Sequence, residues 1–455
     1  MKRTNIPLQW LACGVLWLAA LDVSQAADTR TAAKPNIVFI IADDLGWADV
    51  AFHGGNAPTP NLDRLAREGL ELAQHYVAPV CSPTRTGLMT GRCWSRFGVT
   101  NPQNERALPW DTVTLPRALK SVGYDTCLTG KWHLGSLPEQ GPNHFGFDYS
   151  YGSLAGGVSP WNHRYKQGPF TQTWHRNERL IEESGHVTDL IAAEAVKWIE
   201  SRGTSPFFLY VPFTAVHLPI KEPDEWLRRV HDSIEGDVPR HYAACVMHLD
   251  EAVGRIVAAL QKAGRRDNTL LVFTSDNGGS TVENNDLKYP DDNCPSGKLV
   301  GNNKPWRGEK GSLYEGGTRV PTIVCWPGRA KPGKVNSPVQ ITDWMPTLCA
   351  LTGFRSDRDL NWDGINVLPL LTEHAELPTR ALYAVAPGWR SRSLRLGDWK
   401  LIVHEEKNAR RVELFDLAQD PAESHSQTDQ QPDRVQQMLA KLEAAAARDR
   451  DAVAK

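Results

Sequence analysis

Past Leu21 the sequence has no apolar run long enough to cross a bilayer, so the mature chain is expected to carry no membrane span and to be soluble. It lacks internal repeats and long low-complexity tracts, which removes solenoid and disordered classes. Neither sign of charge dominates. Against 51 Lys and Arg stand 53 Asp and Glu, for a net charge of −2, and no global electrostatic case for binding nucleic acid exists. Cysteine is sparse, with 8 in 455 residues.

What is present begins with an N-terminal address. Lys2 and Arg3 form a small basic head, residues 8–21 are mostly apolar, and Ser24-Gln25-Ala26 offers small residues at a cleavage point. This pattern predicts a signal peptide over residues 1–26 and an exported chain, periplasmic or secreted. The competing readings are an N-terminal membrane anchor and a lipid attachment at Cys13, although the apolar run continues past that cysteine. Without Cys13, seven cysteines remain: Cys81, Cys93, Cys127, Cys245, Cys294, Cys325 and Cys349. An odd number in an oxidising compartment suggests one thiol with a separate fate.

Four segments share one design, a short apolar run ending in polar residues. Residues 37–41 (IVFII) run into Asp43-Asp44, residues 124–128 into Gly130-Lys131-Trp132-His133, residues 207–211 (FFLYV) towards His217, and residues 270–273 (LLVF) into Asp276-Asn277-Gly278-Gly279. Continuous apolar runs of this length predict strands buried on both faces, as in a parallel sheet. Helical spacing lies between them, over 114–121, 188–200 and 242–263. The alternation predicts an α/β fold, a large and mostly parallel sheet sandwiched by helices. Ligands in such sheets sit beyond the carboxyl ends of the strands, so the four polar clusters are expected to meet there. From about Pro369 the pattern changes to short strands over 381–385, 393–396, 400–403 and 412–415, followed by a polar helix over 432–448. The expected organisation is a catalytic domain over 34–368 and a small α+β domain with an antiparallel sheet over 369–455.

Asp43, Asp44, Asp276 and Asn277 offer only oxygen. Adjacent carboxylates repel unless a cation compensates, and an all-oxygen set favours Ca²⁺ or Mg²⁺ over Zn²⁺. Two solvated turns are the alternative. Cys81 stands at the start of a short helix that Pro83 suits and Gly91 can end. Its side chain would face a positive helix terminus with Arg85 nearby, a place for an anion or an activated group. A buried structural thiol or a disulfide partner remain open. Lys131 and His133 flank Trp132, and in an extended segment they would share a face. With His217 and Lys310 they make a basic set, which beside a metal implies an anionic substrate group such as phosphate or sulfate.

Six motifs, in order, give these residues a context: PNIVFIIADDLG, VCSPTRTGLMTGR, LTGKWHLG, FTAVHLP, FTSDNGG and GEKGSLYEGGTRVP. Together they resemble the formylglycine-dependent sulfatases of the alkaline-phosphatase superfamily, over roughly Lys34 to Asp420. Thr84 stands where Ser is commoner in the Cys-x-Pro-x-Arg core. The resemblance implies that a formylglycine-generating or sulfatase-maturating enzyme oxidises Cys81 to an aldehyde, whose hydrate is the nucleophile. It implies one Ca²⁺ held by Asp43, Asp44, Asp276 and Asn277 beside residue 81. Arg85 and Lys131 would hold the hydrate and the sulfate charge, His217 and Lys310 would face the leaving oxygen, and His133 would remove the proton from the second hydroxyl. HYAACVMHLDEAVG and GNNKPWRGEKGSLYEGG resemble the arylsulfatase B and bacterial polysaccharide-sulfatase branch, which implies a sulfated glycan. A phosphonate or phosphate-ester hydrolase of the same superfamily shares the cysteine motif, but GKWHLG and GEKGSLYEGG argue against it. A non-catalytic glycan-binding relative would require lost site residues, and none is missing. Two regions are candidates for the substrate cleft. Residues 152–179 include Trp161, His163, Arg164, Trp174, His175 and Arg176, and residues 280–304 follow the Asp-Asn pair.

Overall fold

In this computed structural model the described residues are Met1, 34–284, Tyr289, 292–406 and 409–453. Apart from Met1, the expected signal peptide therefore lies outside them. The apolar runs form strands that pair in one ten-stranded sheet. In chain order its strands are β1 (Asn36–Ala42), β2 (Leu70–Leu72), β3 (Asp125–Lys131), β4 (Tyr149–Ser153), β5 (Trp174–Arg176), β6 (Arg179–Leu180), β7 (Phe207–Pro212), β8 (Thr269–Ser275), β9 (Ile323–Cys325) and β10 (Gly333–Val335). They lie in the order β10-β2-β9-β8-β1-β7-β3-β4-β5-β6. The centre, β8-β1-β7-β3-β4, is parallel throughout, while β9 and the β5–β6 edge run antiparallel.

The principal helices are α1 (Pro60–Glu68), α2 (Cys81–Thr90), α3 (Leu115–Ser121), α4 (Val187–Glu200), α5 (Asp237–Lys262), α6 (Trp344–Thr352) and α7 (Pro432–Ala446). They cover both faces, which is why the central strands need no polar alternation. Ile37, Phe39 and Ile41 of β1 join one buried cluster with Leu88, Leu119 and Leu348 from α2, α3 and α6. Val38 and Ile40 join the other with Ile191, Ala195, Val253 and Ile256 from α4 and α5. No helix among the described residues is long and apolar enough to cross a membrane.

The C-terminal segment forms the expected antiparallel sheet, with β11 (Ala381–Val385), β12 (Ser391–Leu396), β13 (Trp399–Glu406) and β14 (Ala409–Asp416) paired in sequence order. Leu394, Leu401 and Phe415 from this sheet and Met438 from α7 enter the same buried cluster as Phe39. The described residues from Lys34 onward thus pack as one compact unit.

Two features differ from the sequence reading. Strand β3 continues through Gly130 and Lys131, which had been read as the polar stretch beyond it. The edge strands β2, β5, β6, β9 and β10 had no strand signal. Each has only two or three residues, too short for a period of two to show.

Candidate active site

Strand register builds the pocket. Ala42 at the end of β1 pairs with Ser275 at the end of β8, so Asp43 and Asp276 are the next residues on neighbouring strands. On the other side Ile41 pairs with Pro212 of β7, and β7 pairs with β3. The loop carrying His217 and the end of β3 carrying Lys131 therefore open beside Asp43. All ten residues singled out in the sequence converge here.

Asp43 Oδ2 forms a short ion pair with Lys131 Nζ and lies 3.9 Å from the Arg85 guanidinium. Arg85 donates to Asp276 Oδ2 at 2.7 Å and to the Lys131 carbonyl at 2.6 Å. Asp44, at φ +62°, receives the Asn277 amide at 2.8 Å on Oδ1 and the Lys310 ammonium at 2.7 Å on Oδ2. His217 Nε2 is 3.9 Å from that same Oδ2. Cys81 is the first residue of α2 and is 1 % exposed. Its Sγ stands 3.2 Å from His133 Nδ1. This contact sets aside the disulfide reading, and Cys81 is free. Most of the pocket is fully buried, but the side chains of His217 and Lys310 keep 12 % and 19 % exposure, so these two stand at its mouth.

Lys131 and His133 meet for a reason other than the one expected. His133 has φ +59°, so the backbone leaves the extended conformation after Lys131. The His133 ring is instead placed by Ser82, whose hydroxyl donates to the His133 carbonyl at 2.9 Å. Gly156 and Gly157 close over both histidines. A Cβ on Gly156 would come within 3.0 Å of the His133 ring, and one on Gly157 would strike His217.

Burial pushes the Cys81 thiol up, although Lys131 and Lys310 pull the other way. It holds His133 well below its ordinary value, helped by the Lys131 and Arg85 charges, and lowers His217, with Lys310 adding to the effect. Both imidazoles are therefore neutral near pH 7. Burial raises Asp44, but Lys310 and His217 outweigh it and the carboxylate is held low. Lys310 is held up against burial by Asp44 and stays charged.

The pocket thus sets three carboxylates against three permanent cations, Arg85, Lys131 and Lys310. Asp43 Oδ1 and Asn277 Oδ1 are buried with no hydrogen-bond partner. Orphaned oxygens in a buried all-oxygen set fit a hard divalent cation. One such ion would leave the site with two net positive charges, suited to an anionic ester.

Sequence reasoning missed the residues that hold this arrangement. Thr84 Oγ1 accepts the Ala78 N–H at 2.8 Å and donates to the Asp276 carbonyl at 2.6 Å, locking the helix to the Asp-Asn loop. Its position in the cysteine motif was the only available signal. Lys310 follows no strand. Its own N–H bonds to the Gly279 carbonyl at 3.1 Å, and the Gly311 N–H bonds to the Pro79 carbonyl at 2.7 Å. The expected cleft lining needs correction. His175 is fully buried and bonds to Gly152 and Ser150. Trp174 packs on His163 at 4.6 Å, and Arg176 pairs with Glu194 at 2.6 Å. Of these, His175 serves packing, whereas Trp174 lines a surface cavity with His163 and Arg164, and Trp161 and Arg164 remain exposed. Within the second expected region, 280–304, residues 285–288, 290 and 291 lie outside the described set.

Comparison with known proteins places the geometry in context. A family profile described as Sulfatase matches residues 35–354, and one for the C-terminal region of N-sulphoglucosamine sulphohydrolase matches residues 306–449. Arylsulfatase J of Mus musculus is 34 % identical over 372 residues, covering 79 % of this chain and 59 % of its own. N-acetylgalactosamine-6-sulfatase of Rattus norvegicus is 34 % identical over 364 residues, covering 74 % and 66 %. This chain thus spans about three fifths to two thirds of the length of these relatives. The crystal structure of Ps i-CgsB in complex with k-i-k-neocarrahexaose superposes with a TM-score of 0.80 at 31 % identity, covering 92 % of this chain and 95 % of that one.

Proposed function

Because the chain belongs to the sulfatase family, as the match over residues 35–354 establishes, we propose that it is a sulfuric-ester hydrolase acting on a sulfated glycan. Its nucleophile in this reading is a formylglycine hydrate made from Cys81. The observation that carries the reading is the position of Cys81. A buried side chain stands at a helix N-terminus, 3.2 Å from a neutral imidazole and within the fields of Lys131 and Lys310. The glycan assignment draws on the structural likeness to a protein solved with k-i-k-neocarrahexaose and on the relative named N-acetylgalactosamine-6-sulfatase.

Asp43, Asp44, Asp276 and Asn277 would hold Ca²⁺, which would supply charge to the sulfate oxygens and ease ionisation of the hydrate. Arg85 and Lys131 bind the anion and fix its orientation. Their charges sit in a water-poor pocket, where they act strongly on developing negative charge. His133 presents Nδ1 towards residue 81 and, being neutral, is able to take a hydroxyl proton. His217 and Lys310 stand at the mouth, where the alcohol leaves. The Nδ1 of His217 is held on the Leu218 carbonyl, so Nε2 is the atom that faces substrate and donates when protonated. A bound anion raises this imidazole again and favours that form.

The same reading has residues 1–26 direct export and a formylglycine-generating or sulfatase-maturating enzyme act on Cys81. The test is to co-express the chain with such an enzyme and confirm the aldehyde at residue 81 by peptide mass spectrometry. Sulfate release is then measured across defined sulfated oligosaccharides, with an aryl phosphonate in parallel. Aldehyde-bearing protein that releases no sulfate, or that prefers the phosphonate, overturns the proposal.

A further inference from the structure

A second group of metal-binding side chains lies behind the loop that follows His217. His186 precedes α4, Asp189 stands on its first turn, and His248 faces them from α5. One ligand atom from each lies within 4.8 Å of the others. The His186 side chain is 3 % exposed, and neither of its ring nitrogens makes a hydrogen bond. The His248 side chain is 2 % exposed, and its Nε2 pairs with Asp189 Oδ2 at 3.3 Å. Its Nδ1 lies 2.7 Å from Glu222 Oε2, which is also buried. Trp226 stacks on His248 at 4.5 Å and Trp161 meets His186 edge-on at 5.1 Å. Asp189 keeps 43 % exposure and opens the group to solvent, while Arg255 holds its other oxygen at 2.6 Å.

A buried His186 ring with no hydrogen bond at either nitrogen, its Nε2 3.6 Å from Glu222 Oε1, is costly unless something binds it. The donor set differs from that of the catalytic pocket. Two nitrogens and a carboxylate suit Zn²⁺ and related ions, whereas an all-oxygen set suits Ca²⁺. The Glu222–His248 contact is the outer carboxylate–imidazole pair that orients a metal-bound histidine. It keeps Nδ1–H donated to Glu222, and because Asp189 and Glu222 push His248 up to about 9 against burial, an incoming ion displaces the Nε2 proton that faces Asp189. Bonds of about 2.0–2.1 Å in a tetrahedral site put ligand atoms about 3.3 Å apart, which matches the His248–Asp189 spacing. The His186 ring stacks on His248 at 4.8 Å with no hydrogen bond at either nitrogen, and it completes the set by turning out of that stack.

We propose that His186, Asp189 and His248 bind one divalent ion of the Zn²⁺ class, separate from the catalytic pocket, with Glu222 orienting His248. The ion ties α4 to α5 and steadies the segment that runs from His217 to Glu222. A fourth position, open towards solvent at Asp189, takes water.

The test uses the full chain, stripped with chelator and then saturated with Ca²⁺ so that the oxygen site is filled. Zn²⁺ is titrated by equilibrium dialysis with metal analysis, and Co²⁺ by visible absorption. The expected result is one equivalent of Zn²⁺ at micromolar concentration, tetrahedral Co²⁺ bands, and a rise in Tm with zinc. Asp189→Asn and His186→Gln should each weaken binding at least tenfold and lose the zinc-dependent rise in Tm. Asp189 is partly exposed, so its variant keeps the test sound even if the histidine variant folds poorly. No bound equivalent in the wild-type chain, or equal binding by wild type and Asp189→Asn, overturns the proposal.

Discussion

Thr84→Val is the sharpest probe of how the pocket is held. The substitution keeps the shape of a fully buried side chain and removes its hydroxyl. Two partners then lose their bond, the Ala78 N–H at 2.8 Å and the Asp276 carbonyl at 2.6 Å. A buried polar group left without a partner costs about 1–3 kcal/mol. The two together amount to about 2–6 kcal/mol, and the added methyl returns about 0.8 kcal/mol at most. A net loss of about 1–5 kcal/mol is therefore expected in urea unfolding. The loss should be accompanied by weaker Ca²⁺ binding, because the Asp276 backbone is no longer tied to α2. Thr84→Ser keeps the hydroxyl and deletes one methyl, so it should stay within about 1 kcal/mol of wild type with unchanged Ca²⁺ affinity. The measurements are paired denaturation curves and calcium titrations on the three proteins. A valine variant as stable as wild type, or a serine variant as damaged as valine, would refute the reasoning.

Cys81→Ser should abolish turnover while leaving the Tm within about a degree or two, since the replacement is nearly isosteric and keeps a hydrogen-bonding group facing His133; full activity in a chain with an unmodified thiol at residue 81 contradicts the mechanism. His217→Ala should slow a sugar sulfate far more than an activated aryl sulfate, because a poor leaving group needs the proton more. His133→Ala should slow both alike, and an identical dependence on leaving group in the two variants would dissolve this division of roles. Burial lowers His175 to about 4 from an ordinary 6.5, so the folded protein keeps this ring neutral where the unfolded chain protonates it. Its contribution is fully present above pH 6.5 and falls as pH drops from 6.5 towards 4, by about 3 kcal/mol in all. Unfolding free energies between pH 7 and 4 should show that slope, and His175→Gln should flatten it; an unchanged slope in the variant excludes His175 as the source.

Much of the fold was legible because the signals are local. The central strands β1, β7 and β8 announced themselves as continuous apolar runs, since both faces of a parallel sheet are covered. Helices α4 and α5 showed their spacing for the same reason. Each is long and packs one face against that sheet. The site residues were legible as polar clusters at strand ends, and the motif resemblance named their chemistry. Two further details were out of reach. The extent of β3 depends on its pairing with β4, which carries it through Lys131. The burial of His175 depends on the edge pairing of β4 with β5, so a residue that suited a sugar-binding surface serves the interior instead.

The sequence by itself therefore determined the candidate site residues, the central strands and the long helices, because period, apolar run length and donor type are properties of neighbouring residues. Tertiary structure alone decided how those residues face each other. The register of β1 against β8 sets Asp43 beside Asp276. The left-handed turn at His133 and the Ser82 bond bring its ring to Cys81. Lys310, which follows no strand, reaches Asp44 through loop contacts to Gly279 and Pro79. The grouping of His186, Asp189, Glu222 and His248 belongs to the same class, since those four residues span two helices and a loop and carry no common motif. Side-chain convergence rests on long-range pairing and packing, and no local pattern in the chain encodes it.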